Sequence, residues 1–329
     1  MPLPRVLSGI QPSGVPHLGN YLGAVKQWVE MQSERDCYFM IADLHTITLP
    51  YEPERLRADR IALVASLLAC GIHPERSVLF LQSSVREHTG LTWLLSSATQ
   101  MGELSRMVQF KEKTQDTQHA ASAALFSYPI LQAADILLYD ATEVPVGDDQ
   151  RQHIELCRDV AQRFNSRFGE VFVIPKAVTP IAGGRVMDLQ HPTRKMSKSS
   201  ESDQGLLSLV DSDDELAQKI RRAVTDSEGA IYISDAKPGL TNLLYLMAGL
   251  RDAEVDVIEA EYRAATYSKF KEDLVECVVA SVAPIRARIR EYLDDAPALS
   301  SVLRAGQVKA SGVAGATFDR AMRAMGFGE

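Results

Sequence analysis

The period of apolar and polar positions divides the chain into two parts. Short apolar runs over 5–10, 37–42 and 77–82 have the length of buried strands. The segments between them place apolar residues three and four apart, which is the helical period. Leu22, Val25 and Val29 mark one such helix over 18–30, and a second covers 54–70. Further on, helical segments over 124–138 and 150–164 flank a short strand over 143–146. Strands alternating with helices of this length predict a parallel sheet with helices on both faces, an α/β doubly wound nucleotide-binding fold.

After about residue 200 the strand signal stops. Ser212-Asp213-Asp214-Glu215 is a capping box, and Leu216, Ile220 and Val224 follow on one predicted helical face. A turn at Pro238-Gly239 precedes a helix over 240–250. Leu274, Val278, Ile285 and Ile289 mark another, and 307–325 a last one. The expected division is a Rossmann-like catalytic domain over 1–200 and an all-helical domain over 201–329. The last helix is a candidate to pack back on the first domain. Ala182-Gly183-Gly184 and the serine-rich stretch 197–202 mark the hinge region.

Length and composition narrow the class. The 329 residues suit one large domain or two unequal ones, and 46% apolar residues is the share of an ordinary soluble enzyme. With 35 Lys+Arg against 43 Asp+Glu the net charge is −8, which excludes a surface coated in basic residues but not a local nucleic-acid patch. The four cysteines are far apart and form no Cys-x-x-Cys pair, so no zinc is expected and the thiols read as reduced core residues. The longest mostly apolar run, over 61–72, falls well short of the ~20 residues that span a bilayer. Met1 to Arg5 lacks the apolar core of a secretory signal, so a cytoplasmic protein without membrane attachment is expected.

Two segments carry chemistry. In the first, Ser8 to Asn20, a strand runs into the turn Gln11-Pro12-Ser13-Gly14 and then into a helix that begins after Pro16-His17. Such a turn lets backbone N–H groups approach a phosphate, and the helix start adds positive potential. No Gly-Lys-Ser/Thr follows, so this is not a Walker-type loop. Gly19 and Gly23 would let a flat adenine approach the helix backbone, and His17 could donate to phosphate charge. Alone, the segment reads better as a glycine-rich turn with a capping histidine.

The second segment is Lys195-Met196-Ser197-Lys198-Ser199. Two lysines and neighbouring hydroxyls on a polar loop suit a migrating polyphosphate, because each ammonium is a compact charge able to follow the leaving group. Alone, a short basic loop is also an ordinary solvated surface segment.

Together these segments resemble a class I aminoacyl-tRNA synthetase. Pro16-His17-Leu18-Gly19-Asn20 corresponds to the His-Ile-Gly-His element with Asn20 in place of the second histidine, and Lys195 to Ser199 matches the Lys-Met-Ser-Lys-Ser element unchanged. Gly147-Asp148-Asp149-Gln150 points to the members that activate tryptophan or tyrosine. Tyr128 to Leu137, Gly102 to Met107 and Ala223 to Ser227 look like the bacterial-type tryptophanyl-tRNA synthetases. The likeness covers essentially the whole chain.

The resemblance implies ATP-dependent activation of L-tryptophan, transfer to tRNA(Trp), and a homodimer whose helical domain binds the anticodon. His17, Lys195 and Lys198 would be the catalytic residues, with Mg²⁺ carried by the ATP phosphates. ATP would meet Gln11, Pro12, Ser13, Gly19 and Asn20, then Gly147, Asp148 and Asp149. Val186, Met196, Ser197 and Ser199 would complete that subsite beside the lysines. Tyr128 and Gln150 would hold the substrate ammonium. Leu7, Gly9, Val144 and Val146 would wall the indole, with His45 and Gln132 nearby; for the valines ordinary core packing is an equal reading.

Asp135 stands out on physical grounds. Indole carries one polar group, an N–H donor, and an ionised carboxylate only accepts. An Asp within Ala-Ala-Asp-Ile-Leu-Leu is costly without a partner, and phenylalanine would leave it unpaired, a mismatch that can give ~10⁴–10⁵ discrimination. The alternative is a cap or ion pair within its own helix. Gln132 replaces a usual methionine, Leu7 a common phenylalanine, and Leu44 a glutamine found in many members, which puts pocket shape in question. Gln132 is a candidate to reach Asp135 or the substrate. Lys219, Arg221, Arg222, Arg286 and Arg290 are candidate tRNA phosphate contacts. A tyrosyl enzyme, a nucleotidyltransferase acting on another small acid, and a non-catalytic regulator that binds tryptophan or RNA remain as rivals.

Overall fold

The computed structural model describes residues 3–108, 122–147, 150–178, 186–198 and 203–327. Its parallel strands β1 (Arg5–Ile10), β2 (Asp36–Ile41), β3 (Ser77–Leu81), β4 (Glu143–Pro145) and β5 (Lys176–Val178) form one sheet in the order β3-β2-β1-β4-β5. The order reverses between β1 and β4, and in such sheets ligands bind beyond the carboxyl ends of the strands at that reversal. Cys37 to Ile41 are all buried, because both faces of the central strands are covered. The expected strand over 143–146 ends one residue earlier. The short β5, whose side chains are exposed or half-buried, carries no apolar signal that could announce it.

Successive strand residues supply opposite cores, as a pleat requires. Val6, Cys37, Phe39, Ile41 and Leu79 face one side. There they meet helix α1 (18–31) and α2 (Pro53–Ala69), and the same apolar core continues into α7 (Asp213–Arg221), α8 (Pro238–Arg251), α9 (Val255–Tyr262) and α10 (Tyr267–Asp294). Leu7, Tyr38, Met40, Val78 and Phe80 face the other side, toward α3 (Glu87–Ser96), α4 (Met101–Ser105), α5 (Ala123–Leu137) and α6 (Arg151–Phe168). The C-terminal helix α11 (Ala296–Ala324) joins this second core through Ala310, Ala314 and Ala321. It lies so close to β3 that a Cβ on Gly306 would collide with the Leu79 carbonyl. The helical part therefore shares its interior with the sheet.

The capping box forms as expected. Ser212 Oγ accepts the Glu215 N–H at 3.3 Å, the Glu215 carboxylate accepts the Ser212 N–H at 2.7 Å, and Leu216 and Ile220 are fully buried. Val224 departs from the expectation. It lies beyond the end of α7, is 45% exposed, and donates its N–H to Leu189 at 2.9 Å. Two of the expected tRNA contacts are corrected as well. Lys219 is 4% exposed and paired with Asp211 at 2.9 Å and Asp203 at 3.0 Å. Arg286 binds the Asp213 carboxylate at 2.6 Å and the Asp211 carbonyl. Lys219 thus ties α7 to the segment before it and Arg286 ties α10 to the start of α7, whereas Arg221, Arg222 and Arg290 are exposed. No described helix is long and apolar enough to cross a membrane. The Ala182 to Gly184 segment and residues 199–202 of the expected hinge lie outside the described residues.

Candidate active site

The glycine-rich turn follows β1 and is pinned by a segment far from it in sequence. Leu18 N–H donates to Leu207 at 2.8 Å and Leu209 N–H to Pro16 at 3.2 Å, so the buried segment 206–209 holds the turn in place. Gly14 has φ +84°, a left-handed conformation that favours glycine. His17 is the N-cap of α1. Its Nδ1 accepts the Asn20 N–H at 3.2 Å, while Asn20 Oδ1 accepts the His17 N–H at 3.2 Å. An Nδ1 that accepts leaves the proton of the neutral ring on Nε2. Burial, reinforced by Lys198 and then Lys195, lowers the His17 pKa to about 4, so near neutral pH the ring is uncharged.

Within α1 the residues Tyr21–Val25 wind as a π-helix between α-helical Leu18–Asn20 and Lys26–Met31. Such wide turns often accompany functional sites, and here Asn20, Gly23, Ala24 and Gln27 line a cavity of about 550 Å³ at the β1/β4 reversal. The two glycines of this helix differ. A Cβ on Gly23 would meet nothing within 4 Å, whereas one on Gly19 would press on His17 Nδ1 at 3.0 Å and on Val186. Gly23 thus leaves the helix backbone open to a flat ligand. Gly19, expected to do the same, instead accommodates the histidine ring.

The same cavity gathers most of the expected substrate residues. Leu7, Gly9 and Gln11 come from the β1 side, His45 follows β2, and Tyr128, Gln132 and Asp135 project from α5. Val144, Val146, Gly147 and Gln150 close the β4 side, with Lys195 at the edge. Pro12, Ser13, His17, Gly19, Val186, Met196, Ser197 and Lys198 do not line it. Asp148, Asp149 and Ser199 lie outside the described residues. Gln132 points its amide toward Gln150, Nε2 to Oε1 at 3.4 Å, and makes no hydrogen bond to Asp135.

Asp135 is 2% exposed, yet its carboxylate has partners from three other elements. Oδ2 accepts from His45 Nε2 at 2.9 Å, and Oδ1 accepts from Gln82 Nε2 at 2.7 Å and His88 Nδ1 at 2.6 Å. Desolvation pushes its pKa upward, but the hydrogen bonds from His45 and His88 outweigh that and leave it at about 2. A cap or ion pair within its own helix is therefore not its role. Gln82, His88 and Tyr139, whose hydroxyl lies 2.9 Å from His88 Nε2, were not legible as site residues. Only Gln82, a polar residue just past an apolar strand, carried a signal.

The lysine segment is anchored through its methionine. Met196 is 1% exposed in the core, so its side chain cannot meet a nucleotide. Its N–H donates to Val186 at 3.2 Å, and Lys195 bridges to Met187. Lys198 Nζ donates to the Ser13 carbonyl at 2.6 Å. Desolvation of its ammonium, only partly offset by Asp59, lowers its pKa to about 8. A more open groove of about 850 Å³ is lined by Arg5, Asp36, Arg76 and Asp140, and no sequence motif falls on it.

A doubly wound sheet, a capped glycine-rich turn that reaches the cavity through Gln11 and Asn20, and a lysine segment that reaches it through Lys195 are the features of an enzyme site for a nucleotide beside a small apolar substrate. The model of the class I tRNA synthetases (W and Y) matches residues 3–283. The chain is 49% identical to tryptophan–tRNA ligase 2 of Streptomyces avermitilis over 98% of its length and 97% of that protein's. It is 45% identical to the tryptophan–tRNA ligase of Clostridium tetani over 98% and 95%. Among solved structures, the tryptophanyl-tRNA synthetase of Mycoplasma pneumoniae superposes with TM-score 0.91 at 36% identity, covering 99% of this chain and 98% of that one. That of Campylobacter jejuni, complexed with ADP and tryptophan, gives 0.84 at 36% identity over 98% and 99%. The chain belongs to the bacterial-type tryptophanyl-tRNA synthetases.

Proposed function

We propose that the chain activates L-tryptophan with ATP and transfers the tryptophanyl group to tRNA(Trp). The observation that carries this reading is Asp135: it is the single carboxylate among the described residues of the cavity wall, ionised, and it shares that wall with the apolar Leu7, Ile136, Val144 and Val146. An acceptor in an apolar slot matches a ring whose one polar group is an N–H. A substrate carboxylate oxygen attacks the α-phosphorus, pyrophosphate leaves, and a hydroxyl of the terminal tRNA ribose then displaces AMP from the acyl carbon.

No protein nucleophile is required, so the side chains position and stabilise charge. Neutral His17 donates through Nε2–H. Lys195 at the cavity edge and Lys198 on its segment follow the departing pyrophosphate. Tyr128, held as a phenol because burial raises its pKa to about 12, lies 2.7 Å from His153 Nε2; donating there turns its lone pairs to the substrate ammonium, beside Gln150. Mg²⁺ would arrive with the triphosphate, carried by its phosphate oxygens. Exposed Arg221, Arg222 and Arg290 support a tRNA role for the helical part. Exposed Trp93, Met101 and Val108 support a homodimer, and the family reading supports a cytoplasmic location.

The test is amino-acid-dependent ATP–pyrophosphate exchange without tRNA, across the standard amino acids. Exchange with tryptophan alone is expected. Exchange with tyrosine overturns the pocket reading, and no exchange from folded, ATP-binding protein favours a regulator or another nucleotidyltransferase.

A further inference from the structure

Asp135 is gripped by hidden donors on one oxygen and meets a residue of the cavity wall with the other. Its Oδ1 receives both Gln82 and His88, each completely buried and neither lining the cavity. Its Oδ2 faces His45, which does line it. Both hidden donors have their orientation fixed. Gln82 Oε1 accepts the Leu44 N–H at 2.9 Å, so its NH₂ must face Asp135. His88 presents Nδ1 to an acceptor-only carboxylate, so Nδ1 carries the proton, and Nε2 lies 2.9 Å from the Tyr139 hydroxyl. Tyr139 is fully buried and packed against Tyr38 and Phe80, so it anchors the ring.

We infer that His88, together with Gln82, is a positioning residue that sets selectivity for the indole N–H by holding Asp135 ionised with Oδ2 turned to the substrate. A carboxylate held by two donors on its far oxygen neither takes up a proton nor rotates, so it can only accept at the cavity. Without them the buried group is free to protonate, and a protonated carboxyl no longer requires a donor from the ligand. This rests on the reading of Asp135 as the indole acceptor.

The experiment compares kcat/KM in pyrophosphate exchange for tryptophan and for β-(3-benzothienyl)alanine, whose sulfur replaces the indole N–H. The variants use the two amides of different reach. His88→Asn places its NH₂ near the position of Nδ1, and His88→Gln near that of Nε2. The wild-type protein is expected to prefer tryptophan by about 100-fold. His88→Asn keeps that ratio within about 3-fold, and His88→Gln lowers it by about 10-fold or more through the KM for tryptophan, with the KM for ATP unchanged. Gln82→Leu, which removes the other Oδ1 donor from a different element, lowers the ratio likewise and serves if His88→Gln does not fold. A wild-type ratio near one overturns the indole reading of Asp135 itself. A wild-type preference that survives both His88→Gln and Gln82→Leu, or is lost equally in His88→Asn, overturns this inference alone.

Discussion

Lys198 Nζ hydrogen-bonds the carbonyl oxygen of Ser13, 185 residues earlier in the chain, at 2.6 Å. The contact ties the lysine segment to the phosphate turn and takes the ammonium partly out of water, bringing its pKa to about 8. The charged form is present below that value and lost above it. The kcat/KM for ATP is therefore expected to fall as pH rises through about 8, and Lys198→Arg, which stays charged, to remove that limb. A profile flat to pH 10 in the wild-type protein would contradict this. Lys198→Ala is expected to lower kcat more than it raises KM, since the charge matters most as pyrophosphate departs.

His17 has two separable duties: Nδ1 caps α1, and the proton left on Nε2 is the proposed donor to phosphate. His17→Asn keeps an oxygen near Nδ1 and is expected to hold the melting temperature while kcat drops by about 10²–10³. His17→Gln removes the cap and is expected to cost about 1 kcal/mol of stability, measured by denaturant titration, with the smaller loss in kcat. A larger kcat loss in His17→Gln than in His17→Asn would show that the cap alone matters. The histidine also links stability to pH. Its folded pKa of about 4 lies below the ordinary 6.5, so the unfolded chain binds more protons between these values. Stability is lost as pH falls through that window, and His17→Asn is expected to flatten this part of the curve.

Gly23 and Gly19 make a matched pair. Gly23→Ala adds a methyl into open space, so the fold is expected to tolerate it while the KM for ATP rises about 10-fold, since the methyl takes space an adenine needs. Gly19→Ala pushes on His17 and is expected to lower kcat. Calorimetry together with ATP titration separates the two, and an unchanged ATP affinity in Gly23→Ala would place the adenine elsewhere.

Gly306→Ala tests the packing of α11. The new Cβ collides with backbone oxygen of β3, which cannot swing aside as a side chain does. A loss of about 2 kcal/mol is expected, read from denaturant midpoints. No loss would mean that α11 already stands off the sheet in solution.

The sheet was legible because its central strands are buried on both faces and so read as unbroken apolar runs, Cys37 to Ile41 most clearly. Strand β5 was not, since its partly solvated residues leave no pattern. The two motifs drew attention to the crevice at the β1/β4 reversal, but pattern alone could not separate the surroundings of Gly19 and Gly23, which depend on the direction each missing side chain would take. Nor could it find His88, which meets Asp135 47 residues away only after α3 and α5 pack together. Lys219 and Arg286 were misread for the same reason: their acidic partners lie 8 to 73 residues away, where no local charge pattern pairs them.

The docking of α11 on β3 also bears on how the protein is made. Gly306 rests on Leu79, and Ala310, Ala314 and Ala321 close a core begun by Leu7 and Tyr38. During synthesis, helices α3 to α6 can cover most of this face early, but the strip over β3 stays open until α11 has been made. A chain that lacks α11 is expected to leave that apolar strip uncovered, a surface prone to misassembly. Sealing of the sheet thus waits on a helix made long after the strand it covers.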